Sequence, residues 1–187
     1  MDVAIDIAAR GTVTDGFVAV DHFLNHRVEP DILGGVGERF GHEATANGAT
    51  LILTAEASGI PIGVATASAA ALPLVYAKKF SSRPKEPFES RVVPSTTRGE
   101  HTWLAVDRSL LTPADCILIV DDVLATGAAV NSLVAIAASC GAAVAAVCCV
   151  IEKTWMNGAD ESRRLDLRVV SLVSVASPNG HLQPTVV

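Results

Sequence analysis

Five short aliphatic runs punctuate the chain: residues 51–54 (LILT), 74–77 (LVYA), 117–120 (ILIV), 144–151 (VAAVCCVI) and 169–175 (VVSLVSV). Each is nearly continuous in apolar residues rather than alternating with polar ones, the pattern of strands covered on both faces. Between them, residues 31–47, 62–71 and 126–140 have helical composition. The first is opened by Pro30 and Asp31, and the last is closed by Gly141. Strand alternating with helix predicts an α/β fold with a central, mainly parallel sheet flanked by helices and right-handed crossovers. Ligands of such sheets lie beyond the carboxyl ends of the strands, so the loops after Thr54, Ala77, Val120 and Ile151 should share one edge. Residues 80–101 hold three prolines and few apolar residues, which predicts a hairpin excursion or a mobile lid.

Residues 59–77 and 133–151 are each long and apolar enough to be mistaken for a membrane span. Pro61 and Pro73 break the first and Gly141 breaks the second, so each reads as a helix followed by a buried strand. With 187 residues, half of them hydrophobic, the chain suits one domain spanning 1–187. A net charge of -6 argues against a general binder of nucleic acid or membrane surfaces. The balance reverses locally. Lys78, Lys79, Arg83, Lys85, Arg91 and Arg98 face only Glu86 and Glu89 in the same segment, which would draw an anionic small molecule. Cys116, Cys140, Cys148 and Cys149 show no CxxC spacing and lie in apolar surroundings, as expected of core residues in a reduced, cytoplasmic protein. The start at Met1 and Asp2 has no basic region of a signal peptide. His22, His26, His42 and His101 form no metal-binding spacing.

The densest chemistry is in ILIVDDVLATGAAV, residues 117–130. A buried strand runs into two adjacent carboxylates and then into a turn of small residues. Ala125, Thr126, Gly127, Ala128 and Ala129 leave backbone N–H groups uncovered at a helix N-terminus, a ready site for phosphate. Asp121 and Asp122 suit vicinal hydroxyls or the water shell of a magnesium ion. Acid pair and phosphate cradle together point to a phosphorylated sugar. The GxxxxGK[ST] and GxGxxG spacings are both absent.

This stretch resembles the phosphoribosyl-diphosphate signature of type I phosphoribosyltransferases. VDHFLNHRVEP (20–30), LTAEASGI (53–60) and VIEKTW (150–155) are similar to one subfamily, the xanthine phosphoribosyltransferases, so the resemblance covers most of the chain in order. It implies the type I phosphoribosyltransferase fold, with residues 1–50 forming a small N-terminal hood over the base. It also implies a purine salvage reaction, xanthine and phosphoribosyl diphosphate giving xanthosine 5′-monophosphate and pyrophosphate, with Mg2+ as cofactor. Carried over by position, Asp121 and Asp122 bind the ribose hydroxyls and, through water, the metal. Residues Ala125 to Ala129 hold the 5′-phosphate, and Glu56, Ala57, Ser58 and Gly59 take the pyrophosphate with help from Lys78 or Lys79. Val18, Asn25 and Lys153 read the purine. A lysine facing the base agrees with xanthine chemistry, since xanthine carries two carbonyl oxygens and ionises readily.

Two positions depart from the wider family. Ala125 stands where many hypoxanthine-guanine members have a third acid, and Ala129 where many have threonine. Both features fit the xanthine subfamily and are partly shared with adenine phosphoribosyltransferases, the alternative reading. A regulator of transcription that binds phosphoribosyl diphosphate is a further alternative, against which the acidic chain offers no basic face. The resemblance also implies a homodimer, with Lys78 or Lys79 near the neighbouring subunit's site.

Overall fold

The computed structural model describes residues 2–94 and 101–185. Helix Val3–Arg10 (α1) leads into a hairpin of Thr12–Thr14 (β1) and Phe17–Ala19 (β2), a short helical turn at Asp21–Asn25, and helix Pro30–Ala46 (α2). Asp2 caps α1, accepting from Ala4 N at 2.9 Å. Then follow Leu51–Ala55 (β3), Gly59–Ala70 (α3), Leu74–Phe80 (β4), Phe88–Pro94 (β5), His101–Asp107 (β6), Cys116–Leu124 (β7), Ala128–Ser139 (α4), Ala143–Lys153 (β8), Asp160–Arg164 (α5), Arg168–Val175 (β9) and Gln183–Pro184 (β10).

Eight strands form one sheet in the order β10-β9-β8-β7-β3-β4-β6-β5. The five central strands run parallel, while β10, β6 and β5 add antiparallel edges. The expected parallel centre is present because β3, β7 and β8 are buried on both faces: Leu53, Ile119 and Cys149 pack with α4, and Ile52, Leu118 and Val150 pack with α1, α2 and α3. Strand ends differ from expectation. β4 continues to Phe80 because β6 pairs with Lys78, Lys79 and Phe80. β7 continues to Leu124 because β8 keeps pairing with it as far as Glu152.

Of the two expectations for residues 80–101, the described residues form the hairpin. β5 pairs with β6 along its whole length, and Glu89, buried on β5, ties the hairpin down through Arg91 and Arg108. Arg91 also donates to Ser139 and to Ala135 O, fastening the hairpin to α4. Residues 95–100, the remainder of that segment and the site of Arg98, lie outside the described residues. No helix among the described residues is long and apolar enough to cross a membrane. Cys148 and Cys149 are core residues as expected, whereas Cys116, at the start of β7, and Cys140, just after α4, are half-buried.

Candidate functional site

Because β7 runs past Val120, Asp121 and Asp122 stand inside a strand rather than beyond it, only 8% and 6% exposed. Asp121 Oδ1 accepts from Asp122 N at 2.9 Å. The Asp122 carboxylate accepts from Asn25 Nδ2 at 2.8 Å and from Ser58 Oγ at 3.0 Å. Burial above all, and then the charge of Asp122, holds the Asp121 carboxyl well above the usual carboxylate range. The protein alone thus opposes a second charge here, and hydroxyl donors or a divalent cation would relieve it. Among the described residues no group of three or more His, Cys, Asp or Glu side chains could hold a metal ion. The pair therefore fits a hard cation that completes its shell with water and ligand oxygens, the habit of magnesium.

Beyond Leu124 the chain turns at Gly127, whose φ of +77° is in the left-handed region. Ala125, Thr126, Gly127, Ala128 and Ala129 line a hollow of about 180 Å³ that also borders Asp121. In the first turn of α4, Ala128 N donates to Thr126 Oγ1 at 3.4 Å, and the helix N-terminus opens onto small side chains, an arrangement able to accept a phosphate.

Next to it is a cleft of about 280 Å³, where Glu56, Ser58, Lys79, Asp121, Asp122 and Ala129 meet. The loop from β3 to α3 supplies Glu56, Ala57 and Ser58, and its Glu56–Ala57 peptide is cis. Glu56 accepts from Lys79 N, joining the loop to β4. Gly59 leaves no room for a side chain here: a Cβ would stand 2.2 Å from Thr54 Oγ1 and 3.1 Å from Asp121 Oδ1. Lys79 lines the cleft, so Lys78, its neighbour on the strand, faces the other side of the sheet. Of the basic segment, Arg91 is engaged with Glu89 and α4, and Arg83 lies 5.6 Å from the Trp103 ring centre. Of the described basic residues of that segment, Lys79 alone lines the cleft.

The residues expected to read a base come from distant parts of the chain. Asn25 spans to Asp122, while its Oδ1 is buried without a hydrogen-bond partner among the described residues. Lys153 ends β8 and donates from Nζ to Gly16 O at 2.8 Å. Burial lowers its pKa. Val18 is buried on β2. None of the three lines the main cleft; Asn25 is joined to it through Asp122, whereas Lys153 contacts the β1–β2 hairpin through Gly16 O.

The sequence reading missed what holds the hairpin between β1 and β2. Asp15 N donates to Asn179 Oδ1 at 2.8 Å, Gly16 N donates to Pro178 O at 2.7 Å, and Trp155 lies beneath the Gly16 turn. Asp15-Gly16, a pair suited to tight hairpins, was the available signal.

A family model described as "Phosphoribosyl transferase domain" matches residues 38–186. A xanthine phosphoribosyltransferase of Chloroflexus aurantiacus is 38% identical over 163 residues, covering 87% of this chain and 77% of its own. One of Bacillus licheniformis is 39% identical over 176 residues, covering 93% of this chain and 91% of its own. Among solved structures, an adenine phosphoribosyltransferase from Trypanosoma brucei in complex with AMP, pyrophosphate and ribose-5-phosphate superposes with a TM-score of 0.79. The match covers 95% of this chain and 83% of that one at 17% identity, a likeness of fold.

Proposed function

Since the chain belongs to the phosphoribosyltransferase family, we propose that it makes xanthosine 5′-monophosphate and pyrophosphate from xanthine and phosphoribosyl diphosphate in purine salvage. The observation that carries this reading is the junction of the buried acid pair with the amide-lined hollow at the carboxyl end of β7. The similar xanthine phosphoribosyltransferases, which match most of the chain, support the choice of base.

In the reaction a purine nitrogen forms a bond to C1′ of the sugar as the bond from C1′ to the pyrophosphate oxygen breaks, and the nitrogen's proton is released. Positive charge builds on the sugar and negative charge on the leaving group. Asp121 and Asp122 accept hydrogen bonds from the ribose hydroxyls and face the cationic sugar. Backbone amides of residues 125–129 fix the 5′-phosphate, which places C1′ for attack. Ser58, the backbone around Ala57 and Gly59, and Lys79 receive the departing pyrophosphate. Magnesium, which Asp121 and Asp122 would hold through water, supplies charge neutralisation for the diphosphate when bound.

Lys153 and Asn25 select the base, with the Val18 backbone beside them. The ammonium of Lys153, half-buried, donates to Gly16 O and lies 5.9 Å from the Trp155 ring centre, and it gains from an electron-rich carbonyl or an anionic base. Xanthine offers both. The unpartnered Asn25 Oδ1 is an acceptor for a purine N–H.

The enzyme functions as one domain, residues 1–187, with 1–50 as the hood, in the cytoplasm. It works as a homodimer, in which Lys78 and the exposed Tyr76 on the outer face of β4 lie toward the partner subunit. The test is product formation from phosphoribosyl diphosphate and magnesium with xanthine, adenine, guanine and hypoxanthine in parallel. Xanthosine 5′-monophosphate formed in equal amount with pyrophosphate, and faster than the other nucleotides, is the expected result. Preference for adenine would replace the substrate, and no turnover of any purine would replace the enzyme with a ligand-binding regulator.

A further inference from the structure

The turn that follows β8 meets the phosphate hollow backbone to backbone. Gly158, buried between β8 and α5, is so close that a Cβ on it would stand 2.1 Å from Ala125 O and 2.7 Å from Gly127 N. The approach is mutual, since a Cβ on Gly127 would stand 2.2 Å from Gly158 O. Non-bonded carbon and oxygen atoms settle at about 3.5 Å, so no larger residue fits at either place without moving main chain. Gly127 also needs its left-handed backbone. Gly158 does not have one, and its smallness is required by the contact alone.

The segment that carries Gly158 is fixed from behind. Arg163 on α5 pairs at 3.1 Å with Glu152, which is 5% exposed, and the other oxygen of that carboxylate accepts from Ser171 Oγ on β9 at 3.1 Å. Ala159 is fully buried, and Asp160 N donates to Asn157 O at 3.1 Å. This same short run begins at Lys153. One short run of chain, anchored at Glu152 and Ala159, therefore connects the lysine at the end of β8 with the back of the hollow.

We propose that Gly158 is a positioning residue for the sugar phosphate. Its main chain backs the turn at Ala125 and Gly127, and so sets where the amides of the cradle point relative to Lys153. The inference rests on the reading of residues 125–129 as the 5′-phosphate site. Gly158 acts through Ala125 and Gly127 and needs no contact with substrate. Its effect should therefore fall on the sugar phosphate and spare the pyrophosphate, whose loop at residues 56–59 is carried by β3 and α3.

The experiment is calorimetric titration of ribose 5-phosphate, and separately of pyrophosphate with magnesium, into wild type, Gly158→Ala and Arg163→Met. Gly158→Ala should weaken ribose 5-phosphate by about tenfold to a hundredfold while pyrophosphate changes by less than about twofold. Arg163→Met, which adds nothing at the turn but releases α5 from Glu152, should show the same split at about threefold. Unchanged ribose 5-phosphate affinity in Gly158→Ala overturns the proposal. Should that variant not fold, unchanged affinity in Arg163→Met overturns it. Equal loss for both ligands marks general damage and also overturns it. Wild type that binds pyrophosphate but no ribose 5-phosphate would remove the reading of the cradle itself, and the inference with it.

Discussion

The proposed sugar-phosphate half of the site and its proposed base-reading half are built by different means. The first is main chain and consecutive residues: a strand, two acids and a turn, held by β3 and β8 on either side. The second is side chains from separate segments, joined by single polar contacts such as Asn25 to Asp122 and Lys153 to Gly16. On the proposed reading, phosphate binding rests on backbone shape, which few substitutions alter without damage, and base choice rests on a few side chains that can change while the turn stays intact.

That contrast can be broken most severely at Asp122. Asp122→Ala removes the carboxylate that faces the sugar and is expected to lower kcat/KM by about a hundredfold to a thousandfold. If the halves are separable, steady-state kinetics with several purines will show the ranking of bases unchanged. A changed ranking would mean that the Asn25 contact with Asp122 transmits base choice into the sugar site.

A smaller effect is expected at Glu89, which holds the β5–β6 hairpin against α4. Glu89→Gln weakens two ion pairs whose arginines are 35% and 51% exposed. With that screening the loss is about 1 to 2 kcal/mol of stability, measurable by urea unfolding, with base preference intact. Activity lost without stability lost would restore a catalytic role to the hairpin.

The smallest expected effect is on pH dependence. The folded Asp121 carboxyl has a raised pKa, so the unfolded chain ionises first as pH rises. Stability from this group is therefore lost as pH climbs from the ordinary value of 3.8 through the raised folded value. Asp121→Asn keeps an acceptor for Asp122 N and removes the titration. Thermal melts should show the variant more stable than wild type at neutral pH, the two converging below the ordinary value. A variant less stable at neutral pH would show that the charged pair contributes to folding.

What was legible in the sequence follows the same division. The aliphatic runs at 51–54 and 117–120 expose the parallel centre, because strands buried on both faces need no partner to be recognised. The meeting of the acid pair with the small-residue turn was legible because the two are adjacent in the chain. Strand ends were not, since β4 and β7 are extended by pairing with β6 and β8 far along the chain. The same holds for the segment read as a hairpin excursion or a mobile lid: Glu89 and Arg91 look like loop charges until Arg108 and α4 are brought beside them. Nothing around Asn157 and Gly158 announces a contact with Gly127, because main-chain packing leaves no pattern beyond the glycine itself.

The most direct measurement is the selectivity between xanthine and adenine in wild type and Lys153→Ala, with ribose 5-phosphate affinity measured on the same samples. The account predicts that wild type prefers xanthine, that Lys153→Ala lowers this preference by about tenfold to a hundredfold, and that ribose 5-phosphate binds both proteins equally. An unchanged preference in Lys153→Ala, or an equal loss of ribose 5-phosphate binding, would contradict it.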